Sequence, residues 1–462
     1  MLKSFKEKFI GDKAFYVRYI TLAVPMIIQS FITNFVSFLD NLMVGQLGTE
    51  QLSGVAIVNQ FVFVFSIAIF GVVGAASIFG AQFYGKGDNE GHMHTFRLRG
   101  YMTVVITFLC VFLLATKSDF LIGLFLSESD STGSLELTLE YANVYLFTAL
   151  IGLVPFAITQ VYVSAIRETG HSFVPMIAGV SGVVTNALFD WLLIFGIGVF
   201  PELGIKGAAI ATDMARFIEM FIVLGWAHKN IDKNMYLKGA YKGVYIPKEL
   251  LLSVAKKGTP LMMNELMWVL GITALTQSYS VRGLDVVAGL NIANTITNLF
   301  NIIFIQLGSC IAIIVGQYLG AGDLKKAKDA DNKMIFFSVA VCFVVAMIQL
   351  LTGRFFPRIY NTSDEIKALA TSFLVVSALV MTFCSFSHCS YFTLRSGGKT
   401  GVTFLFDSVF TWVIVVPTAF ILSRYTTLDI VTVYFIVSFT ELIKVAIGYA
   451  MIKSDVWLVT MV

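Results

Sequence analysis

The sequence predicts an all-α polytopic membrane protein with twelve transmembrane helices in two pseudo-symmetric six-helix lobes. Three observations carry that prediction. Hydrophobic residues make up 57% of the 462-residue chain and charged residues 13%, against roughly 45–50% and 25% in soluble domains. Mean hydropathy is +0.81, which makes lipid the natural solvent. The chain also repeats itself: a shift of 235 brings Pro25 onto Pro260, Gly48 onto Gly283, Gly54 onto Gly289, Gln82 onto Gln317, Gly85 onto Gly320 and Asp88 onto Asp323. A duplicated membrane chain suits two lobes around a central cavity, the plan of many transporters.

The first apolar run, near 17–44, has spanning length and no small-residue cleavage site, so it reads as a helix and not as a signal peptide. Runs near 52–83, 100–116, 138–166, 173–199 and 208–228 complete an N-terminal lobe, 1–228. The stretch 229–251 is polar and lysine-rich and reads as a cytoplasmic linker. Runs near 252–281, 286–319, 335–352, 366–394, 401–423 and 428–451 form a C-terminal lobe, 252–462. Several runs exceed the ~20 residues that a span needs, so tilted or bent helices are expected. With the N-terminus inside, 23 Lys and Arg fall on the cytoplasmic side and 7 on the far side. The positive-inside rule then places both termini in the cytoplasm, with Lys238 and Lys399 inside and Asp130 and Asp364 outside. The Gly-x-Gly-Asp segments at 85–88 and 320–323 read as tight turns, since no Lys-Ser/Thr follows and no strand precedes them.

Composition also excludes functions. A net charge of +3 spread by topology gives no basis for nucleic-acid binding. No HExxH and no Ser/His/Asp grouping appears, so the chain is not read as an enzyme. The five cysteines lie in apolar segments without disulfide or zinc spacing. Cys384 and His388 share a helix face, which a soft metal could use, but packed structural side chains are the plainer reading.

Polar residues within the spans carry the chemistry. Asp40 and Asp190 are carboxylates inside helices, where an ionised acid costs roughly 2.5–3.5 kcal/mol. A bound cation or a proton offsets that cost. Asn186 lies four residues before Asp190 on the same face, and an amide oxygen beside a carboxylate suits Na+ or a held proton. Pro25 removes a backbone bond mid-helix and makes a kink or hinge. Glu265 follows Pro260 by five residues, whereas Leu275 occupies the repeat position of Asp40, so Glu265 is read as a contact for a cationic substrate, with a second ion site as the alternative. Asn291, Asn294, Asn298 and Asn301 form a polar stripe that faces either the cavity or a neighbouring helix. Asp213 with Arg216, and Glu441 with Lys444, are spaced as i,i+3 ion pairs.

The segment Pro25 to Gly48, PMIIQSFITNFVSFLDNLMVGQLG, resembles the first helix of the multidrug and toxic compound extrusion (MATE) family, within the MOP superfamily. The segment Asn186 to Thr212, NALFDWLLIFGIGVFPELGIKGAAIAT, is similar to its fifth helix and the start of its sixth. QFYGKGD, QYLGAGD, RETG and RSGGKT fit the same pattern, and the prokaryotic DinF-like branch is favoured. The resemblance implies an exporter that exchanges organic cations or other drugs for H+ or Na+ by alternating access, without further cofactors. It maps the coupling site onto Asp40, Asn186, Asp190 and Thr212, with Tyr145 lining the same pocket, and makes Pro25 the bend of the first helix. A monomer in the plasma membrane is expected. The alternative within the superfamily is a flippase for lipid-linked oligosaccharides or lipids, which would need a cationic cavity.

Overall fold

The computed structural model describes residues 7–126 and 134–462, apart from the side chains at 38, 41 and 42; Asp130 therefore lies outside the described residues. Among the described residues, twelve long helices follow one another: α1 Lys13–Gly45, α2 Thr49–Lys86, α3 Asn89–Gly123, α4 Leu135–Glu168, α5 Phe173–Ile194, α6 Ile205–Lys229, α7 Lys248–Ser280, α8 Leu284–Gly320, α9 Leu324–Thr352, α10 Asp364–Ser396, α11 Thr400–Tyr425 and α12 Ile430–Lys453. Each contains one of the expected apolar runs or most of it. Among the described residues, ten helices are long and apolar enough to cross a membrane. The two that fall short are α6 and α7. The first carries Lys206, Asp213, Arg216 and Glu219, and the second carries Glu265 and four charges in its first ten residues. At about 1.5 Å per residue both are still long enough to span.

The repeat is visible in the turns. Gly48 and Gly283, Gly87 and Gly322, and Gly170 and Gly398 all have positive φ, which L side chains rarely adopt. At Gly85 a Cβ would lie 1.9 Å from the Gln317 carbonyl oxygen, and at Gly320 a Cβ would lie 1.9 Å from that of Gln82. The ends of α2 and α8 thus approach each other through residues that the 235-residue shift exchanges.

By internal contacts the chain divides into two compact units. One comprises Val24–Gly80 and Asn89–Leu252; the other comprises Met1–Ala23, Ala81–Asp88 and Ser253–Val462. This grouping differs at the edges from lobes cut at 228 and 252. The start of α1 joins the C-terminal unit because Arg18 Nη1 donates to Tyr318 at 2.9 Å and Tyr19 donates to the Leu307 carbonyl at 3.1 Å. The 229–251 segment packs into the N-terminal unit. Arg97 of α3 donates to the carbonyls of Ala240, Gly239 and Tyr245, and Tyr236 is buried against His92 and Phe96.

In the N-terminal unit, α6 packs along α4 and α5. Small residues at the contact, among them Gly152, Gly182, Ala208 and Ala215, let the backbones approach, as membrane helices require. Its core runs through Leu146, Ala149, Leu153, Ala209 and Val223. The C-terminal unit is built on α8 against α10, with Leu290, Ala293, Ile296, Phe373 and Leu374 between them. Two π-helical segments, Leu405–Val409 and Thr411–Val415, interrupt α11.

Candidate functional site

The N-terminal unit brings four helices to one polar site. Asp40 sits near the end of α1, Asp190 in the last turn of α5, Thr212 in the second turn of α6 and Tyr145 in α4. The carboxyl groups of Asp40 and Asp190 lie against each other, with Asn186 beside Asp190. Asn186 Nδ2 donates to Thr212 Oγ1 at 3.2 Å, which ties α5 to α6 and leaves the amide oxygen as an acceptor. The buried Tyr145 ring stands within electrostatic reach of both acids. The five residues singled out in the sequence for ion coupling therefore converge.

Their chemistry follows from what is missing. Asp190 is 0% exposed, and neither of its oxygens receives a hydrogen bond from a donor among the described residues. Asp40 Oδ1 is in the same condition. Two carboxyl groups in contact in a low-dielectric interior cannot both stay ionised without a positive charge between them. A proton turns one into the donor that the other lacks. A sodium ion would find oxygen ligands on Asp40, Asp190 and Asn186, the donor type hard cations require.

Pro25 is buried within α1, which runs through it as one helix. The change of unit between Ala23 and Val24 falls two residues before it. Glu265 is half-buried in α7, within electrostatic reach of Arg395 and Asp407. Asn291, Asn294 and Asn298 lie on the exposed face of α8 and Asn301 is half-buried, while Ile292, Ala293 and Ile296 turn to the core.

Both expected i,i+3 pairs are corrected. Lys444 Nζ donates to Asp407 at 2.6 Å, not to Glu441, because α11 carries a carboxylate directly opposite. Asn264 Nδ2 donates to the other oxygen of Asp407 at 3.1 Å, and Ser408 Oγ donates to Asn264 Oδ1 at 2.7 Å. In the N-terminal unit, Asp213 Oδ1 and Arg216 Nη1 are each buried without a partner, so they do not close a pair.

Two polar groups went unnoticed in the sequence. Asp407 is an acid inside the apolar run 401–423, and that position alone is a signal. Arg99 donates to both oxygens of Glu168 at 2.9 Å, and His92 Nε2 lies 3.0 Å from Oε2. All three side chains are fully buried, and Gly80 makes room for them: a Cβ there would meet Glu168 Oε2 at 2.1 Å.

A family profile described as MatE matches residues 25–192 and 260–421. Over 409 residues the chain is 23% identical to the probable multidrug resistance protein NorM of Thermotoga maritima, covering 88% of this chain and 85% of that protein. It is 25% identical to the multidrug resistance protein PmpM of Pseudomonas aeruginosa over 411 residues, covering 87% and 82%. A crystal structure described as MATE in the straight conformation superposes with a TM-score of 0.85 at 19% identity, covering 95% of both chains. A transporter of the MOP superfamily from Pyrococcus furiosus, described as having a binding pocket of reverse polarity, gives 0.84 at 19% identity over 95% of both.

Proposed function

Given that the chain belongs to the MatE family of multidrug efflux transporters, we propose that it is a secondary antiporter that exports amphipathic organic compounds in exchange for H+ or Na+. The observation that carries this reading is the Asp40–Asp190 pair, in which Asp40 Oδ1 and both oxygens of the buried Asp190 have no hydrogen-bond donor among the described residues. A cation or proton entering from outside fills that lack, and its release inside restores it. Asn186 and Thr212 hold the pair in place from α5 and α6. Tyr145 lines the same pocket.

Pro25 supplies the hinge by which α1 carries Asp40 between the two states of alternating access. Glu265 contacts cationic substrates in the C-terminal unit. The amides at 291, 294, 298 and 301 face the aqueous path, because amides left against hydrocarbon would stay unsatisfied. The chain acts as a monomer in the plasma membrane with both termini in the cytoplasm, an orientation that rests on the 23-to-7 distribution of basic residues. A flippase for a lipid-linked pyrophosphate is not favoured. Such a ligand needs several free cations, and Lys444 is already held by Asp407.

The test is uptake of a fluorescent organic cation into inside-out vesicles or proteoliposomes with an imposed pH or Na+ gradient. Accumulation against the dye gradient that collapses with one of the two ion gradients supports the reading. Equilibration that ignores both gradients refutes it.

A further inference from the structure

The segment between α6 and α7 is held in one shape from within. Arg97 of α3 donates to three of its carbonyls, those of Ala240 at 2.8 Å, Gly239 and Tyr245. Asn234 is fully buried; its Nδ2 donates to the Asn230 carbonyl at 3.0 Å and its Oδ1 accepts from the Tyr236 hydroxyl at 3.2 Å. The hydroxyls of Tyr162 and Tyr241 are hydrogen-bonded, and the Tyr241 ring stacks on His228 with centroids 5.9 Å apart. Tyr236, Leu237 and Ala240 complete the inner face.

This frame leaves a distinct outer set. Lys229, Lys233, Lys238, Lys242 and Lys248 are all exposed, and none takes part in an ion pair among the described residues. Two acids, Asp232 and Glu249, stand against these five lysines. Between the lysines lie exposed apolar side chains: Ile231, Tyr241, Val244 at 81% and Tyr245 at 69% exposure. A flexible polar connector has no use for apolar groups displayed on a fixed backbone. A surface at headgroup level does. There tyrosine rings and lysine stems lie among the glycerol groups while the ammonium heads reach phosphates. The segment sits at that level, because it joins the end of one membrane helix to the start of the next. An acidic soluble protein would meet the lysines but gives no reason for valine and tyrosine beside the ends of two membrane helices.

We propose that the segment 229–248 is a docking surface for anionic phospholipid headgroups of the adjoining leaflet. The lysines take the phosphates, and Tyr241, Val244 and Tyr245 rest at the level of the glycerol backbone. Arg97 holds the frame that presents them.

The probe is a bilayer of stated composition. Val244→Cys in a cysteine-free background carries an environment-sensitive nitrobenzoxadiazole dye, and the full-length protein is placed in nanodiscs ranging from pure phosphatidylcholine to an equal mixture with phosphatidylglycerol. Emission should brighten and move to the blue as the phosphatidylglycerol fraction rises, and added NaCl should reverse the change. Lys238→Gln with Lys242→Gln should need at least about fivefold more phosphatidylglycerol for the same change, or fail to reach it within the series, since each lysine near an anionic surface is worth roughly fivefold in affinity. Melting with the wild type in pure phosphatidylcholine reports that the variant is folded. An equal signal at every composition, or an equal response in wild type and variant, would overturn the proposal. So would inorganic phosphate reproducing the response in phosphatidylcholine nanodiscs, which would make this a site for free anions. No response in any bilayer would likewise overturn it and leave the lysines to an acidic soluble partner.

Discussion

Glu168→Gln offers a quantitative test of how the N-terminal unit is held together. The substitution keeps shape and removes one charge, which leaves the Arg99 guanidinium, 0% exposed, without its carboxylate. Breaking one side of a buried pair costs about 3–5 kcal/mol, because the remaining charge is stranded away from water. For a unit of this size each kcal/mol is worth roughly 2–4 °C in Tm, so the expected drop is about 6–20 °C. The double variant Arg99→Met/Glu168→Leu removes both charges and should recover to within a few degrees, since well-packed apolar replacements of such pairs are often neutral. The assay is thermal unfolding of the detergent-purified protein at fixed scan rate, followed by intrinsic fluorescence. A single variant that melts with the wild type, or a double variant worse than both singles, would refute the reasoning.

Three further outcomes follow from the same structure. In a cysteine-free background, Lys238→Cys should be labelled only from the cytoplasmic side and Asp364→Cys only from outside; both positions are exposed, and the opposite pattern would reverse the topology. Glu265→Gln should weaken transport of cationic substrates and spare neutral ones if it touches substrate, whereas equal loss of both would make it a second coupling group. His171, in the turn between α4 and α5, has its pKa lowered by partial burial and by Lys233. The folded state thus resists protonation there, and its share of stability is present above the ordinary value of 6.5 and lost as pH falls through that value toward the lowered one. His171→Gln should accordingly flatten the fall of Tm between pH 7 and 5, and an unchanged slope would remove His171 as a cause.

Much of the fold was legible because lipid imposes a simple pattern. Length, apolar runs and basic loops give the helices. The duplicated glycines mark turns that the backbone then realises with the same positive φ in both halves. Asp40, Asn186 and Asp190 stood out as polar groups in apolar helices, whereas Thr212 and Tyr145 entered through family resemblance alone. What failed to show was partner choice across the sequence. Lys444 was matched with an acid three residues away, yet it binds Asp407, 37 residues distant. Arg99 falls among the cytoplasmic basic residues because the apolar run starts near 100, but α3 begins at Asn89 and takes Arg99 into the interior, where it meets Glu168. Local spacing predicts which charges can meet along one helix. Helix packing decides which do, and only three-dimensional contact reveals that Arg216 Nη1 has no hydrogen-bond partner among the described residues.

In the proposed antiport, Asp40 and Asp190 exchange the coupling ion as a pair. The direct measurement is gradient-driven dye accumulation in proteoliposomes holding wild type, Asp40→Asn or Asp190→Asn, with dye binding measured on the same preparations. Either amide variant should bind dye and stay folded but fail to accumulate it on a pH or Na+ gradient, because an amide neither exchanges a proton nor serves as an anionic cation ligand. Wild-type accumulation by both variants would contradict the account and move coupling away from this site.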